Sequence, residues 1–337
     1  MTDASARPPR VPEPAVAPRL IATDLDGTLL RDDKTVSDRT IAALAAAEQA
    51  GIEVFFVTGR PARWMDVVSD HVHGHGLAIC ANGAAVVDLH RGRRIIEVSP
   101  LERAIALQVV QTLREAAPGT SFAVERTGGI HYEPKYPPFF RDPAAVTASA
   151  EKLLAEDFAP PVHPEASATP YGTTVPEATA APYGATGHAT AAGASGTTAA
   201  PAGAPAPTVT GPGQPVLKLL AHHPEMDPDA FLTLARKAAG SLASFTRSSP
   251  SALLEISGLG VSKAHTLARA CAERGVTPEE VVAFGDMPND IEMLTWAGTS
   301  YAMANAHPDV LAATTRQTTS NNDDGVAAVI ERILEER

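Results

Sequence analysis

The alternation of apolar and polar positions divides the N-terminal part of the chain into short strands and helices. Apolar runs of strand length occur at residues 20–23, 52–57 and 77–80. Between the first two runs, residues 38–50 carry apolar side chains at helical spacing and stop at Gly51, a common residue after helix C-termini. Strands that alternate with helices predict right-handed βαβ units and a parallel sheet.

Beyond residue 84 the pattern changes to paired short strands and amphipathic helices, which predicts a separate α+β unit over residues 85–256. The alternation of strands and helices resumes near residue 261 and continues to the C-terminus. We therefore expect one α/β domain built from residues 19–84 and 257–337, interrupted by the second unit. Further predicted elements are a helix at 62–69, hairpins at 86–98 and 122–133, helices at 101–116, 228–239, 262–274 and 325–334, and strands at 217–222, 244–247, 253–256, 281–284 and 300–303.

Two segments have compositions that predict disorder. Residues 1–18 are rich in Pro, Ala and Arg and have no apolar core that would make them a signal peptide. Residues 160–215 consist mainly of Ala, Thr, Gly, Pro and Ser, with Glu165 and Glu177 as their charged residues, and cannot bury enough apolar area to offset chain entropy. We interpret 160–215 as a tolerated insertion in the second unit, with a partner-binding or substrate-covering loop as the alternative.

Composition narrows the class of protein. A chain of 337 residues with 44% hydrophobic residues is long enough for about two domains with sizeable cores. Its net charge of −12 argues against nucleic acid or an anionic membrane as the main partner. Two cysteines, Cys80 and Cys271, fall in apolar patterns and rule out a disulfide framework, so a cytoplasmic location is expected. Nothing in the sequence indicates the oligomeric state.

The segment Asp24-Leu25-Asp26-Gly27-Thr28 carries the strongest chemical signal. It places two carboxylates directly after an apolar strand, and ligands of parallel sheets bind beyond the carboxyl ends of strands. Crowded carboxylates suit a hard cation such as Mg²⁺, with one acid free to attack and the other free to move a proton. Taken alone, the segment could equally be an ordinary Asp-Gly turn.

Three other polar groups follow predicted strands or begin a predicted helix. Thr58-Gly59 offers a hydroxyl and a close backbone N–H, Lys263 lies near a helix start, and Gly285-Asp286 is followed by Asn289 and Asp290. Together with the Asp24/Asp26 pair, these groups would form a cradle for a phosphate and Mg²⁺.

On these residues the chain resembles the haloacid dehalogenase superfamily, and more narrowly its Cof-type phosphatases with a large cap. The resemblance implies a Rossmann-like doubly wound parallel α/β sheet core with an inserted α+β cap domain. It spans residue 20 to the C-terminus except the 160–215 insertion, and Ala264 departs from the glycine that more often follows the lysine. The carrying motifs are Asp24-Leu25-Asp26-Gly27-Thr28, Thr58-Gly59-Arg60, Ala81-Asn82-Gly83-Ala84, Lys263, Gly285-Asp286-Met287-Pro288-Asn289-Asp290, Met303-Ala304-Asn305-Ala306 and Asn322-Asp323-Asp324-Gly325.

The resemblance implies a role for each matched residue. Asp24 would form an aspartyl-phosphate, and Asp26 would act as general acid and base. Mg²⁺ would be held by Asp24, the backbone carbonyl of Asp26, and Asp286, with Asp290 supporting a metal-bound water or the lysine. The phosphate-binding residues would be Thr58, Gly59, Lys263 and Asn289.

The expected activity is Mg²⁺-dependent hydrolysis of a small phosphorylated metabolite, such as a sugar phosphate, a flavin precursor or a pyridoxal-type phosphate. Asp26 argues against a dehalogenase, whose sequences resemble this one only in the nucleophile. A sugar phosphomutase and a non-catalytic module that binds a phosphorylated ligand stay open as alternatives.

Several isolated residues have two interpretations. Three alternating histidines are expected in a solvated loop rather than a metal site. Trp64 is expected to pack in the core rather than touch substrate, and Arg60 to pair with a nearby acid rather than bind phosphate. The three histidines are His71, His73 and His75. Arg126 and Tyr132 of the second unit are possible substrate contacts.

Overall fold

The computed structural model describes residues 16–69, 76–90, 93–137, 142–159, 214–247 and 253–337. The predicted histidine loop, the predicted N-terminal tail up to residue 15, and residues 160–213 of the predicted insertion lie outside these ranges. In chain order the strands are β1 (Leu20–Thr23), β2 (Glu53–Val57), β3 (Leu77–Cys80), β4 (Ala85–Asp88), β5 (Arg94–Val98), β6 (Ser121–Arg126), β7 (Gly129–Tyr132), β8 (Val216–His222), β9 (Ala243–Thr246), β10 (Leu253–Gly258), β11 (Val281–Gly285), β12 (Thr299–Ala302) and β13 (Arg316–Gln317).

The helices of the described ranges complete the element order. They are α1 (Asp38–Gln49), α2 (Asp66–Ser69), α3 (Arg103–Ala116), α4 (Ala150–Leu153), α5 (Pro228–Ala239), α6 (Lys263–Glu273), α7 (Ile291–Trp296), α8 (Pro308–Ala313) and α9 (Gly325–Glu335). Among the described residues, none of these helices is both long enough and apolar enough to cross a membrane.

The first sheet has the strand order β13-β12-β11-β1-β2-β3-β4-β5, and its strands are parallel from β13 to β3. Strand β1 lies in the middle with all four residues buried, as expected for a strand covered on both faces. The apolar cluster around this sheet includes side chains of α1, α6, α7 and α9. The predicted parallel α/β core with βαβ connections is therefore the observed fold.

The hairpin of β4 and β5 belongs to this first sheet rather than to the second unit. Strand β4 pairs antiparallel with β3 through a register that sets Cys80 opposite Ala85, because residues 81–84 make a tight turn. Strand β5 continues the same sheet. The sequence places the domain boundary at residue 85, whereas the first sheet extends to residue 98.

The second unit contains the sheet β7-β6-β8-β10-β9, in which all neighbouring strands are antiparallel. One face of this sheet packs against α3, α4 and α5 in a separate apolar cluster. The other face lies over the carboxyl ends of the first sheet's parallel strands, as the contacts described below demonstrate. We call this second unit the cap.

Two segments join the cap to the first sheet, residues 99–102 before α3 and residues 259–262 before α6. In the second segment Leu259 is 66% exposed, and Gly260 has a φ of +78° with open space around its Cα. Helix α6 begins immediately afterwards, with the Ser262 side chain accepting a hydrogen bond from the backbone N–H of His265.

Smaller differences from the predicted elements follow from local geometry. The helix expected over 62–69 is a short 3₁₀ turn at Ala62–Trp64 followed by the single-turn helix α2. The two-residue strand β13 and the short helices α4 and α8 are too brief to leave a periodic pattern in the sequence.

Candidate active site

The residues after three adjacent strands meet at one edge of the first sheet. Asp24 follows β1, Asp286 follows β11 on one side, and Thr58 follows β2 on the other. Parallel pairing sets Thr23 opposite Phe284, and the Asp24 backbone N–H donates to the Phe284 carbonyl at 3.1 Å. Residues far apart in the sequence are thus brought together at the strand ends.

Three buried carboxylates cluster at this edge. Each of Asp24, Asp286 and Asp290 offers a carboxylate oxygen, and these oxygens all lie within 4.8 Å of one another. Burial is the main cause that raises the pKa of Asp24, and the charge of Asp290 adds to it. Burial and the neighbouring Asp24 likewise raise the pKa of Asp286. The cluster therefore carries an excess of negative charge that a divalent cation would neutralise.

Lys263 supplies a counter-charge inside the cluster. Its ammonium donates to Asp24 Oδ1 and to Asp290 Oδ1, both at 2.7 Å. Burial disfavours the charged lysine, but the two carboxylates outweigh this and raise the pKa of Lys263. A lysine in the first turn of a helix is not favoured by the helix dipole, so these ion pairs account for its position there.

Asp290 also shapes the loop that carries Asp286. Its Oδ2 accepts hydrogen bonds from the backbone N–H groups of Asp286 and Met287, at 3.1 and 3.0 Å. Asp290 thus holds both Lys263 and the backbone of a neighbouring acid. The Lys263 contact is one of the two supporting roles expected for this residue.

Gly27 and Thr28 bring the loop after β1 against Asp286. Thr28 Oγ1 donates to Asp286 Oδ1 at 2.9 Å. Gly27 has a φ of +76°, and a Cβ at this position would lie 2.2 Å from Asp286 Oδ2. Only glycine leaves room for this approach.

The second acid, Asp26, points its carboxylate away from this cluster toward two cations. Arg60 donates to both of its oxygens, at 2.6 and 2.7 Å, and the Lys34 ammonium lies 3.0 Å from Oδ1. Burial opposes the charged form, but Arg60 and Lys34 outweigh it and lower the pKa of Asp26 to about 2. Arg60 therefore pairs with an acid, as expected, and Lys34 is a partner that sequence reasoning missed.

The remaining predicted phosphate-binding residues border the same space. Thr58 and Gly59 line a cavity together with Asp24 and Asp26, and so do Lys263 and Asn289. The Asn289 amide nitrogen donates to Asn82 Oδ1 at 3.2 Å, while its buried side-chain oxygen has no hydrogen-bond partner among the described residues. The structure thus assembles the predicted site residues, and the roles assigned to them stay predictions.

The cavity has a volume of about 380 Å³ and lies between the first sheet and the cap. Two buried cap residues, Lys218 and Glu255, form an ion pair in its roof. Lys218 donates to the Gly59 carbonyl at 2.8 Å, and Glu255 accepts from the Asn82 amide at 2.6 Å. Each is a single charge within an otherwise apolar strand, which is the sequence signal that could have identified them.

The structure also decides between the two interpretations of three isolated residues. Trp64 is 37% exposed and lines the cavity, so the expected core position is wrong. Tyr132 lines the same cavity, consistent with a substrate contact. Arg126 is buried on the other side of the cap sheet, where it donates to the carbonyls of Gln214 and Leu153, and it is not a cavity residue.

Comparison with known proteins agrees with this geometry. The family model of haloacid dehalogenase-like hydrolases matches residues 21–163 and 205–330, and its two parts leave out residues 164–204 within the predicted insertion. The chain is 27% identical over 321 residues to YitU of Bacillus subtilis, a 5-amino-6-(5-phospho-D-ribitylamino)uracil phosphatase, covering 93% of this chain and 97% of the relative. It is 28% identical over 319 residues to YbhA of Escherichia coli, a pyridoxal phosphate phosphatase, covering 93% and 97%.

Solved structures give the same fold. BT1666 of Bacteroides thetaiotaomicron, from a study of phosphatases of the haloalkanoate (HAD) enzyme superfamily, superposes with a TM-score of 0.67 at 20% identity. The match covers 97% of this chain and 99% of that one. Since the family model covers most of the sequence and the fold is shared, the chain belongs to the haloacid dehalogenase-like hydrolases.

Proposed function

We propose that the protein is a Mg²⁺-dependent phosphomonoesterase that works through an aspartyl-phosphate on Asp24. The observation that carries this proposal is the cluster of Asp24, Asp286 and Asp290 around Lys263 at the strand ends. Phosphatases among the relatives support the reaction type.

The carboxylate oxygens of the cluster fit a hard, oxygen-seeking cation. Asp24 and Asp286 would hold Mg²⁺ together with the backbone carbonyl of Asp26, and Asp290 would hold the loop that carries Asp286. Mg²⁺ would supply positive charge that draws the phosphate in and offsets its repulsion by the carboxylates.

Asp24 would act as the nucleophile. One carboxylate oxygen would attack phosphorus while the bond to the ester oxygen breaks, which leaves an aspartyl-phosphate and an alcohol. Lys263, hydrogen-bonded to Asp24, would favour the charged form of this carboxylate against the effect of burial, and it would bind a phosphoryl oxygen. Thr58, Gly59 and Asn289 would bind the remaining phosphoryl oxygens.

Asp26 would move the protons. It would protonate the departing ester oxygen and later take a proton from the water that hydrolyses the aspartyl-phosphate. Held by Arg60 and Lys34, it has the charged form that the second step needs. The first step needs the protonated form, so we expect Asp26 to leave Arg60 when substrate enters.

The substrate would be a small phosphorylated metabolite, because the cavity under the cap is closed on several sides and of small-molecule size. The names of YitU and YbhA point to a flavin-precursor phosphate and pyridoxal phosphate as substrates of those relatives. Either compound, or a sugar phosphate, is a candidate for this chain.

The test is phosphate release from a panel of phosphorylated metabolites with and without Mg²⁺. We expect release that requires Mg²⁺, is abolished by EDTA, and disappears in Asp24→Asn. Asp309→Asn removes a carboxylate from the exposed first turn of α8 and should retain wild-type activity. Undiminished release in EDTA, or wild-type activity of Asp24→Asn, would refute the proposal. Transfer of phosphate within a sugar without release would instead indicate a phosphomutase.

A further inference from the structure

The strand alternation of the cap sheet sends one set of side chains toward its helices and the other set toward the catalytic edge. On β6, for example, Phe122 and Val124 pack against the cap helices, while Glu125 faces the cavity. On β8, Leu219 packs against the helices and Lys218 faces the cavity. The second face is therefore the roof of the active site.

The chemistry of this roof changes from one edge of the sheet to the other. A part that runs from β7 across β8 to the first residue of β10 is mainly apolar and aromatic, with a small cluster that includes Tyr132, Tyr136, Leu220 and Leu253, beside the charged Glu125 of β6. On the β9 side it presents hydroxyl groups, from Ser244, Thr246 and Ser257. The buried Lys218–Glu255 pair lies between the two sides.

Each side of the roof covers its own cavity. The aromatic side covers the 380 Å³ cavity, and the hydroxyl side covers a second one of about 570 Å³. Lys263 and Asn289 line both cavities, but the residues that line the first include Asp24 and Asp26. A leaving oxygen has to be within reach of Asp26 when Asp24 attacks, so the leaving group belongs in the first cavity.

Building on the proposed phosphatase function, we propose that the leaving group is a planar aromatic ring that binds against Trp64 and Tyr132. Trp64 comes from the 3₁₀ turn after β2 and Tyr132 from the cap strand β7, so the ring contacts both units of the protein. The substrate is a phosphomonoester of an aromatic alcohol, and a sugar phosphate binds less tightly.

The surface of this cavity favours a ring over a sugar. Tyr132 and Tyr136 are stacked, with ring centroids 5.9 Å apart and an angle of 15° between their planes, so the aromatic wall is formed before ligand binds. Leu220, Leu253 and Ile130 continue this wall. Glu125 and the Lys218–Glu255 pair also line this cavity, but Glu125 is paired with Arg63 and the other two with each other. Against the aromatic wall itself, a flat ring gains contact area and stacking energy that a sugar does not.

The experiment compares benzyl phosphate, cyclohexylmethyl phosphate and ribose 5-phosphate as substrates, with acetyl phosphate as a small reference without a ring. The first three compounds release a primary alcohol, so their differences report binding more than leaving-group chemistry. We expect the lowest KM for benzyl phosphate. Trp64→Ala and Tyr132→Ala should each raise this KM about tenfold, and by a larger factor than they raise the KM for ribose 5-phosphate or acetyl phosphate.

Thr246→Val is the matched control, because it removes a hydroxyl from the second cavity at nearly constant volume. It should change none of these constants. Equal KM values for benzyl and ribose phosphates, or an unchanged benzyl phosphate KM in both aromatic variants, would overturn the proposal. An effect of Thr246→Val alone would place the leaving group in the other cavity and overturn it as well.

A separate measurement distinguishes failure of this inference from failure of the proposed function. If the wild-type protein with Mg²⁺ hydrolyses neither these compounds nor any member of the metabolite panel, the phosphatase proposal fails. Calorimetric binding of benzyl phosphate and methyl phosphate to Asp24→Asn then decides the ring site. Tighter binding of benzyl phosphate, lost in Asp24→Asn/Trp64→Ala, supports it, and equal binding of the two compounds rejects it.

Discussion

At the scale of single residues, Gly27 sets how closely the loop after β1 approaches Asp286. In Gly27→Ala the added Cβ would meet the Asp286 carboxylate, which must move out of the cluster. We expect kcat/KM to fall by about a hundredfold, or about 2.7 kcal/mol of transition-state stabilisation, with weaker activation by Mg²⁺. The measurement is phosphate release as a function of Mg²⁺ concentration.

Gly51 offers a matched control for this substitution. Its φ of +78° is nearly the same, but no atom of the described residues lies within 4 Å of a Cβ built there. Gly51→Ala therefore carries the backbone strain, about 1–2 kcal/mol, without the clash. It should lower the melting temperature and retain activity. If both variants lose activity equally, backbone strain rather than contact with Asp286 explains the effect.

A second residue-scale prediction concerns His131 in the cap. Burial, and then the charge of Arg126, lower the pKa of His131 to about 4, and its Nδ1 accepts a hydrogen bond from the Val146 N–H. Since the unfolded chain binds this proton more readily, the contribution of His131 to stability is present above about pH 6.5 and is lost as pH falls toward 4.

His131→Asn keeps an acceptor for Val146 but removes the titrating group. The difference in the free energy of unfolding between wild type and this variant, measured by urea denaturation, should shift in favour of the variant between pH 7 and pH 4.5. A difference that does not change with pH would contradict the assignment.

Much of the catalytic cluster could be predicted from the residue types alone. Asp24, Asp286 and Lys263 follow strands or begin a helix, and strand ends of a parallel sheet converge. The partners of Asp26 were harder to predict. Lys34, which donates to Asp26, lies in a loop, and a loop has no periodic pattern of apolar residues from which the contact could be inferred. Trp64 was misjudged because its expected helix is a short 3₁₀ turn that leaves the ring at the cavity.

At the scale of elements, strands β8 and β10 carry two of the polar contacts between the cap and the core. Lys218→Met would remove the ammonium that pairs with the buried Glu255, together with the hydrogen bond to the Gly59 carbonyl. We expect about 3 kcal/mol lower stability and a several-fold higher KM for acetyl phosphate, because the closed arrangement is less favoured.

The double variant Lys218→Met/Glu255→Met separates these two effects. Replacing a buried ion pair by apolar groups is often neutral, so most of the stability should return in urea denaturation. The KM should stay high, because the contacts with Gly59 and Asn82 are still missing. A double variant with wild-type KM would show that these contacts do not hold the cap closed.

Element types were predictable wherever periodicity was strong, as in α3, α5 and β1. The sheet to which an element belongs was harder to predict. The β4–β5 hairpin has the alternation of apolar and polar residues expected of a cap hairpin, but the turn at residues 81–84 pairs it with β3 of the first sheet. The Lys218–Glu255 bridge depends on how two separate sheets face each other. That relation is set by tertiary packing and leaves no local signal.

At the scale of the whole molecule, the buried acids link stability to pH and to Mg²⁺. Because the pKa values of Asp24 and Asp286 are raised, the folded metal-free protein holds protons that the unfolded chain releases. Its stability therefore falls as pH rises above the ordinary carboxyl range. Mg²⁺ competes with these protons, so the increase in melting temperature that it causes should be larger at about pH 8 than at about pH 5.5.

Thermal unfolding with saturating Mg²⁺ and with EDTA measures this increase at each pH. Asp286→Asn should remove most of the increase at both pH values. An increase of the same size at both pH values in the wild type would contradict binding at the carboxylate cluster.

A further whole-molecule prediction concerns residues 164–204, which the family model leaves out. We expect a chain that lacks these residues to keep its melting temperature and its kcat/KM, because loop length adds little to the cost of folding. Loss of a partner in pull-downs from the deletion variant, with catalysis intact, would support the docking alternative. Loss of catalysis would mean that the segment contributes to the active site.

The second connection between cap and core has a mechanical consequence. Strand β10 ends at Gly258, and Lys263 is already fixed by two carboxylates only five positions later, while Thr266 is tied to the Gly83 carbonyl at 2.9 Å. Any rotation of the cap relative to the core requires changes in the backbone torsion angles of residues 259–262. In this segment Leu259 is exposed, and no described residue lies within 4 Å of a Cβ built on Gly260. A substitution that restricts these torsion angles would slow entry and exit of ligands while leaving the chemical step itself intact.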